Sequence, residues 1–258
     1  SLVEGMPHYS VSFQGTNIVA DSGLSLNLED DGFSDRFVVD SKRTEAKNGS
    51  WVPVVGSRSS YPDSYNECVI QLREASERKR RLDLTFRAYD EGVAFRYTIP
   101  MQEGIGELNL QSENSLFQFT DDHFVYWDDY PQAQYSRVRI SEMPGRSIRP
   151  LLVESGSHFV AIAEAGSVEH YAPMMLNRSG ENQLVTRFRS GTVSASNSLT
   201  TPWRVIMVAD HPGRLVENHY LLQNLSPPPV LGDTSWIKPG KVWRSSLLPG
   251  NAGRFIER

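Results

Sequence analysis

Residues 82–99 read Leu-Asp-Leu-Thr-Phe-Arg-Ala-Tyr-Asp-Glu-Gly-Val-Ala-Phe-Arg-Tyr-Thr-Ile, and this stretch decides the fold class. Apolar and polar residues alternate from Leu82 to Tyr89, so the apolar residues share one face of a strand. The sequence Asp90-Glu91-Gly92 then turns the chain, and residues 93–99 return as a partner strand. The pattern predicts a β-hairpin with a glycine-containing loop of about three residues.

Short alternating segments interrupted by turn residues continue through most of the chain. We predict further strands at 10–14, 17–20, 36–39, 67–72, 107–111, 116–119, 136–140, 159–163, 184–189, 191–195 and 203–208. One segment, residues 215–222, is predicted to be a short helix. This composition of elements predicts an all-β sandwich of antiparallel strands, and it disfavours a doubly wound α/β fold or a complete (β/α)8 barrel.

The charge balance excludes several classes of partner. The chain has 26 Lys+Arg and 31 Asp+Glu, a formal net charge of −5, so it lacks the basic surface of a nucleic-acid-binding protein. The basic run 77–81 could be a nucleic-acid patch or a localisation signal, but it lies between two predicted strands and is interpreted as a solvated hairpin tip. No apolar run is long enough for a membrane-spanning helix, and the single cysteine, Cys68, excludes a disulfide within the chain.

A segment rich in aromatic and acidic residues is a candidate carbohydrate-binding site. It contains Tyr126, Trp127 and Asp128. Aromatic rings can pack on the C–H faces of sugars while carboxylates accept hydrogen bonds from hydroxyl groups. The alternative is that the aromatic side chains fill the core while the acidic side chains face water.

Glu164 is a second candidate, because it follows the apolar strand 159–163 and is therefore expected at the rim of a sandwich. A carboxylate at the rim could reach a ligand or a second domain. Calcium prefers such oxygen ligands, but it needs about six to eight of them, so Glu164 alone cannot form a site.

The hairpin sequence 86–97 resembles a signature of glycoside hydrolase family 97. Other segments of that family are matched in the same order along the chain. These are Ser22-Gly23-Leu24, Tyr65-Asn66-Glu67, Glu164-Ala165 followed by Tyr171 and Met174, Thr201-Pro202-Trp203-Arg204-Val205-Ile206, and Ser235-Trp236-Ile237-Lys238-Pro239-Gly240-Lys241.

The resemblance implies a fold and a function. It implies an N-terminal β-supersandwich, similar to galactose mutarotase-like domains, which precedes a (β/α)8 catalytic barrel. The family consists of exo-acting α-glucosidases and α-galactosidases, so an α-linked oligosaccharide or an α-galactoside is the implied substrate. The implied cofactor is calcium, and the resemblance assigns to Glu164 the role of a calcium ligand from the sandwich domain.

The C-terminal region changes character. Pro227-Pro228-Pro229 cannot form a central strand, and we expect residues 1–225 to form the sandwich and 226–258 an extended connector toward a barrel. The sequence after Trp243 departs from the family pattern, and 258 residues leave no room for a barrel. We therefore expect a fragment of a longer enzyme that is inactive by itself.

Two other functions stay open at this point. The chain could be a stand-alone carbohydrate-binding module that uses the Trp127 segment. It could also be a mutarotase-like epimerase, although the six histidines show no arrangement that indicates this chemistry. The family resemblance implies a bacterial periplasmic or extracellular protein whose signal peptide has been removed or is not included.

Overall fold

A computed structural model describes residues 1–29, 32–33, 36–103, 105–167, 170–228 and 231–241. Its strands are β1 (Leu2–Val3), β2 (Met6–Phe13), β3 (Thr16–Leu28), β4 (Gly32–Phe33), β5 (Phe37–Lys47), β6 (Ser50–Trp51), β7 (Tyr61–Pro62), β8 (Tyr65–Glu74), β9 (Arg81–Tyr89), β10 (Gly92–Ile99), β11 (Glu107–Gln118), β12 (Phe124–Trp127), β13 (Ser136–Arg139), β14 (Leu151–Ser155), β15 (His158–Ala165), β16 (Met174–Arg178), β17 (Gln183–Phe188), β18 (Val193–Ser196), β19 (Leu199–Thr200) and β20 (Trp203–Ala209). A 3₁₀ helix covers Ile140–Glu142, and two α-helices follow the last strand, α1 (Pro212–Glu217) and α2 (Tyr220–Asn224).

The strands form two main antiparallel sheets and a small hairpin. The first sheet has the order β1-β2-β3-β11-β17-β16, with β4 beside β3 and β18 beside β11. The second sheet has the order β13-β12-β14-β15-β20-β10-β9-β8-β5, with β19 beside β10. Strands β6 and β7 pair only with each other among the described residues. The all-β prediction is confirmed.

The hairpin that opened the sequence analysis lies inside the second sheet. Strand β9 pairs with β10 so that Phe86 faces Phe95 across the ladder, as the alternation predicts. The loop is shorter than predicted, because Gly92 already pairs with Tyr89. A Cβ atom on Gly92 would clash with the carbonyl oxygen of Ile206 on β20, so the close approach of β20 requires glycine here.

The main core lies between the two sheets. Apolar side chains of the first sheet, such as Tyr9 and Phe117, contact Phe95 of the second sheet with ring centroids 5.0 and 6.4 Å apart. Tyr97 and Ile99 on the same face of β10 are fully buried. One face of the hairpin therefore contributes side chains to the core, as expected for a strand pair in a β-sandwich.

The opposite, outer face of the second sheet is not simply solvent-exposed. Trp203 and Val205 on β20 are buried there together with Ala163 on β15 and Leu221 on α2. The two helices cover this part of the sheet, which explains why every residue of β20 is buried. The sheet is thus covered on both faces near β20 and open to solvent toward β8 and β5.

Several details differ from the sequence-based expectations. The predicted helix 215–222 is two shorter helices, because Asn218 ends α1 before α2 begins. The two strands predicted at 107–111 and 116–119 are one strand, β11. The basic run does lie at a hairpin tip, but Arg80 is buried there in an ion pair with Glu74 at 2.6 Å.

The C-terminal connector is described only in part. Residues 226–228 and 231–241 contain no helix or strand, and residues 242–258 lie outside the described part of the chain. Within the described ranges, no helix has the length and apolar character needed to cross a membrane.

Candidate functional site

A buried ion pair joins the two sheets. Arg204 on β20 donates from Nε to Oε1 of Glu113 on β11 at 2.6 Å and from Nη2 to Oε2 at 2.5 Å. Both residues are 0% exposed. This two-point contact is the geometry that matches a guanidinium to a carboxylate, and it fixes how the two sheets face each other.

Further donors complete the surroundings of Glu113. The hydroxyl groups of Tyr171 and Ser115 donate to its carboxylate at 2.7 and 2.8 Å. Burial by itself would raise the pKa of Glu113, but the charge and hydrogen bonds of Arg204, helped by these hydroxyls, lower that pKa below its ordinary value. The ion pair with Arg204 and the two hydroxyl donors therefore keep Glu113 ionised in spite of its burial.

Glu164 belongs to the same buried group. It stands at the end of β15, directly opposite Arg204 in the ladder. One carboxylate oxygen accepts from Nη1 of Arg204 at 2.5 Å and from the backbone N–H of Met174 at 3.1 Å. The other oxygen pairs with Nη2 of Arg149 at 2.7 Å, and the side chain is 8% exposed. Sequence reasoning placed Glu164 correctly at a strand end, but not its two arginine partners.

The residues around Glu164 do not fit a calcium ion. A calcium site needs several oxygen ligands converging on one point, whereas both oxygens of Glu164 face guanidinium groups. Among the described residues, no group of three or more Asp, Glu, His or Cys side chains could hold a metal ion. The calcium role of Glu164 stays a prediction from the family resemblance.

The structure separates the members of the predicted sugar segment. Trp127 packs against the main core and donates from Nε1 to the backbone carbonyl of Arg146 at 3.1 Å. Tyr126 precedes it on β12, so its side chain points to the opposite face, where its hydroxyl donates to Glu154 at 2.7 Å. Asp128 is 2% exposed and accepts from the backbone N–H of Tyr130 at 2.9 Å. The sugar-binding role of these three residues stays a prediction, and they do not share one surface.

A cleft on the outer face of the second sheet, which sequence reasoning missed, has a volume of about 870 Å³. Its floor comes from β5, β8, β9, β10 and β20, and one wall comes from the segment after β6. The chain leaving α2 forms the other wall at Pro227 and Pro228. Trp51 donates from Nε1 to the side-chain oxygen of Asn224 at 2.7 Å, and this bond ties the two walls together. The floor includes Lys47, Tyr65, Arg87, Arg96 and Trp203.

Cationic and aromatic side chains are layered on the floor of this outer cleft. The guanidinium of Arg96 lies 4.3 Å from the ring centre of Trp203, and that of Arg87 lies 4.8 Å from it. Arg87 also lies 4.3 Å from the ring of Tyr65. Sequence reasoning could have assigned Arg87 and Arg96 to the outer face, because in the hairpin each lies one position away from a core-facing residue and so points to the opposite side. No local signal in the sequence points to their contact with Trp203.

The sequence matches the family model described as glycosyl-hydrolase 97 N-terminal over residues 1–228. The chain belongs to this family. The match confirms the resemblance seen in the hairpin and in the Thr201–Ile206 segment. It also agrees with the observed sandwich, whose described strands all lie within the matched residues.

Relatives of this glycosyl-hydrolase 97 N-terminal domain are much longer proteins. The chain is 24% identical over 252 residues to a probable retaining α-galactosidase of Streptomyces bingchenggensis, covering 95% of this chain and 38% of that protein. It is 21% identical to a retaining α-galactosidase of Bacteroides thetaiotaomicron, covering 94% of this chain and 42% of that protein. The chain therefore spans about two fifths of the curated relatives it matches.

Solved structures show the same relation. A glycoside hydrolase family 97 enzyme from Pseudoalteromonas sp. strain K8, solved in complex with acarbose, superposes with a TM-score of 0.85 at 25% identity. The match covers 92% of this chain and 37% of that one. A variant of that enzyme has been solved in complex with panose. A β-arabinopyranosidase at 23% identity and a TM-score of 0.71 shares the fold.

Proposed function

We propose that this chain is the non-catalytic N-terminal domain of an exo-acting α-glycosidase and that it packs on a catalytic barrel to complete the enzyme. The observation that carries the proposal is the extent of the family match. Residues 1–228 match an N-terminal domain, while the α-galactosidase relatives are more than twice as long as the matched region. The substrate proposed for the complete enzyme is an α-galactoside or an α-linked glucose oligosaccharide.

The arrangement of the buried charges favours a structural role for this domain over a catalytic one. A glycosidase uses two carboxyl groups that flank the scissile bond, about 5–9 Å apart and open to the substrate. The two carboxylates grouped at the centre of the domain, Glu113 and Glu164, are buried and engaged by Arg204 and Arg149. Neither is available to protonate a leaving group or to activate water.

Hydrolysis by the purified 258-residue chain is the direct test. We expect no release of p-nitrophenol from p-nitrophenyl α-galactoside or α-glucoside above a protein-free blank. The α-galactosidase of Bacteroides thetaiotaomicron serves as the positive control for the assay. A longer polypeptide that continues beyond this chain into a barrel is expected to hydrolyse one of the two substrates. Turnover by the 258-residue chain itself would overturn the proposal.

A further inference from the structure

The outer cleft carries one cationic side chain, Arg96, that has no ion-pair partner among the described residues. Lys47 pairs with Asp63 at 2.6 Å, and Arg87 pairs with Glu67 at 2.8 Å. The side chain of Arg96 forms no hydrogen bond or ion pair with any described residue, and its Nε is buried without an acceptor. Lys47 and Arg87 are therefore each neutralised by a carboxylate, whereas the side chain of Arg96 has no such partner among the described residues.

The surroundings of Arg96 make this imbalance costly. The residue is half-buried, and its guanidinium lies on the face of Trp203, which is 2% exposed. Burial, and then the positive charge of Arg87, lower the pKa of Arg96 from its ordinary value, and the carboxylate of Glu67, which is paired with Arg87, offsets this only in part. A partly desolvated cation without a counter-ion is unfavourable, and an anion at its edge would relieve both effects.

We propose that Arg96, seated on Trp203, is the anchor of a carboxylate-binding site in the outer cleft. A guanidinium presents a planar set of N–H donors that matches the two oxygens of a carboxylate. The Trp203 ring covers one side of the guanidinium, so a carboxylate would approach from the side that faces the cleft. This site is independent of the Glu113–Arg204 pair, because Arg96 and Arg204 lie on opposite faces of the second sheet.

The rest of the outer cleft favours a ligand that also carries hydroxyl groups. Oδ1 of Asp63, on the lining of this cleft, is buried and accepts no hydrogen bond from a described residue, and a ligand hydroxyl that reached it would supply the missing donor. Tyr65 and Trp51 supply aromatic surface on the same lining, and a volume of about 870 Å³ lies in the usual range of ligand sites. A sugar acid combines the carboxylate, the hydroxyl groups and an apolar ring face in one molecule.

The carboxylate has two possible sources, a sugar acid or an aspartate or glutamate side chain from another part of the parent polypeptide. Pro227 and Pro228 line the outer cleft, so the chain leaves the sandwich beside Arg96. Both sources would present the same carboxylate to Arg96, but only the sugar acid adds a ring that can contribute to the affinity. Comparing the binding of acids with and without a sugar ring to the 258-residue chain distinguishes the two sources.

The test is an NMR titration of the ¹⁵N-labelled 258-residue chain at constant ionic strength. Sodium galacturonate, sodium acetate, galactose and sodium chloride are added separately, while the Arg96 Nε–H and Trp203 indole N–H signals are followed. Both carboxylates are expected to shift these signals with saturation, at midpoints on the order of 1–10 mM for the tighter one. Galactose and chloride are expected to give no saturable shift.

Variants identify the anchor. Arg96→Gln is expected to weaken binding at least about tenfold, measured at Trp203, because the charged donor is lost. Arg96→Lys keeps the charge and is expected to lose affinity to an intermediate degree. This second variant keeps the test valid if Arg96→Gln misfolds. Arg43→Gln is the matched control, since Arg43 is an exposed arginine on the neighbouring edge strand β5.

Each outcome decides the proposal. Galacturonate binding at least tenfold more tightly than acetate supports a sugar acid as the ligand. Equal affinity for the two acids supports a carboxylate recognised without a ring, as a polypeptide side chain supplies it. No saturable shift with either acid, or unchanged binding in Arg96→Gln, overturns the proposal. None of these outcomes bears on glycoside hydrolysis, so the proposed function is tested separately.

Discussion

Arg204 and Glu113 stand on different sheets, 91 positions apart in the sequence, and form a fully buried two-point ion pair at 2.6 and 2.5 Å. The same arginine reaches Glu164 with its remaining terminal nitrogen. The guanidinium therefore joins β11, β15 and β20 at one point between the two sheets. Each of its three nitrogens has a carboxylate acceptor, and the hydroxyl groups of Tyr171 and Ser115 donate to Glu113, so these contacts offset part of the cost of burying the charges.

Removing one partner of this pair is predicted to destabilise the domain strongly. In Arg204→Met, Glu113 would be left as a buried carboxylate without its cation. We expect the free energy of unfolding in urea to fall by about 3–5 kcal/mol, as is typical when a buried pair is broken. Arg214→Gln is the control, because the pair between Arg214 and Glu217 on α1 is exposed, and its loss should cost less than about 1 kcal/mol. Equal losses in the two variants would contradict a special role for the buried pair.

The lowered pKa of Glu113 predicts a pH dependence of stability. Because the pKa in the folded state lies below the ordinary value of 4.5, the unfolded state binds the proton more readily. The contribution of Glu113 is therefore complete above pH 4.5 and is lost as the pH falls toward the folded-state pKa. Unfolding in urea from pH 7 to pH 3 measures this.

Glu113→Gln isolates that effect from the other carboxyl groups. The variant is expected to be less stable than the parent at pH 7, with a difference that shrinks as the pH falls below 4.5. A difference that stays constant over the whole range would show that the ionisation of Glu113 does not contribute.

The sequence predicted those parts of the fold that depend on local alternation. The hairpin at 82–99 follows from side-chain parity alone, because one face had to be apolar. The contacts of Arg204 with Glu113 and of Arg96 with Trp203 could not be predicted in the same way. They depend on which strands become neighbours and on how the two sheets pack, and no local pattern encodes either. Trp127 shows the same limit. Parity separates it from Tyr126, but only the packing of the sheets shows that its ring lies against the core.

Gly92 is predicted to tolerate no side chain. It begins β10 with φ +156°, and a Cβ atom there would meet the backbone of Ile206 and Met207 on β20. Since these are backbone atoms, the strands would have to move apart, and Gly92→Ala should cost at least about 1–3 kcal/mol. Thermal or urea unfolding measures the loss. Gly145→Ala is the matched control, because nothing lies within 4 Å of its added Cβ, and a comparable loss there would contradict the steric explanation.

Calcium binding by the isolated domain is predicted to be weak or absent. Both oxygens of Glu164 are engaged by Arg204 and Arg149, and a single carboxylate cannot supply the six to eight oxygen ligands that calcium usually takes. Calorimetric titration of the chelator-treated 258-residue chain should therefore show no site tighter than about 10 µM. Glu164→Gln should lower the stability equally with and without calcium. Glu217→Gln, at the exposed pair with Arg214, should change the stability by less than about 1 kcal/mol in either condition. A tight calcium site that disappears in Glu164→Gln would mean that the two arginines release the carboxylate when the ion binds.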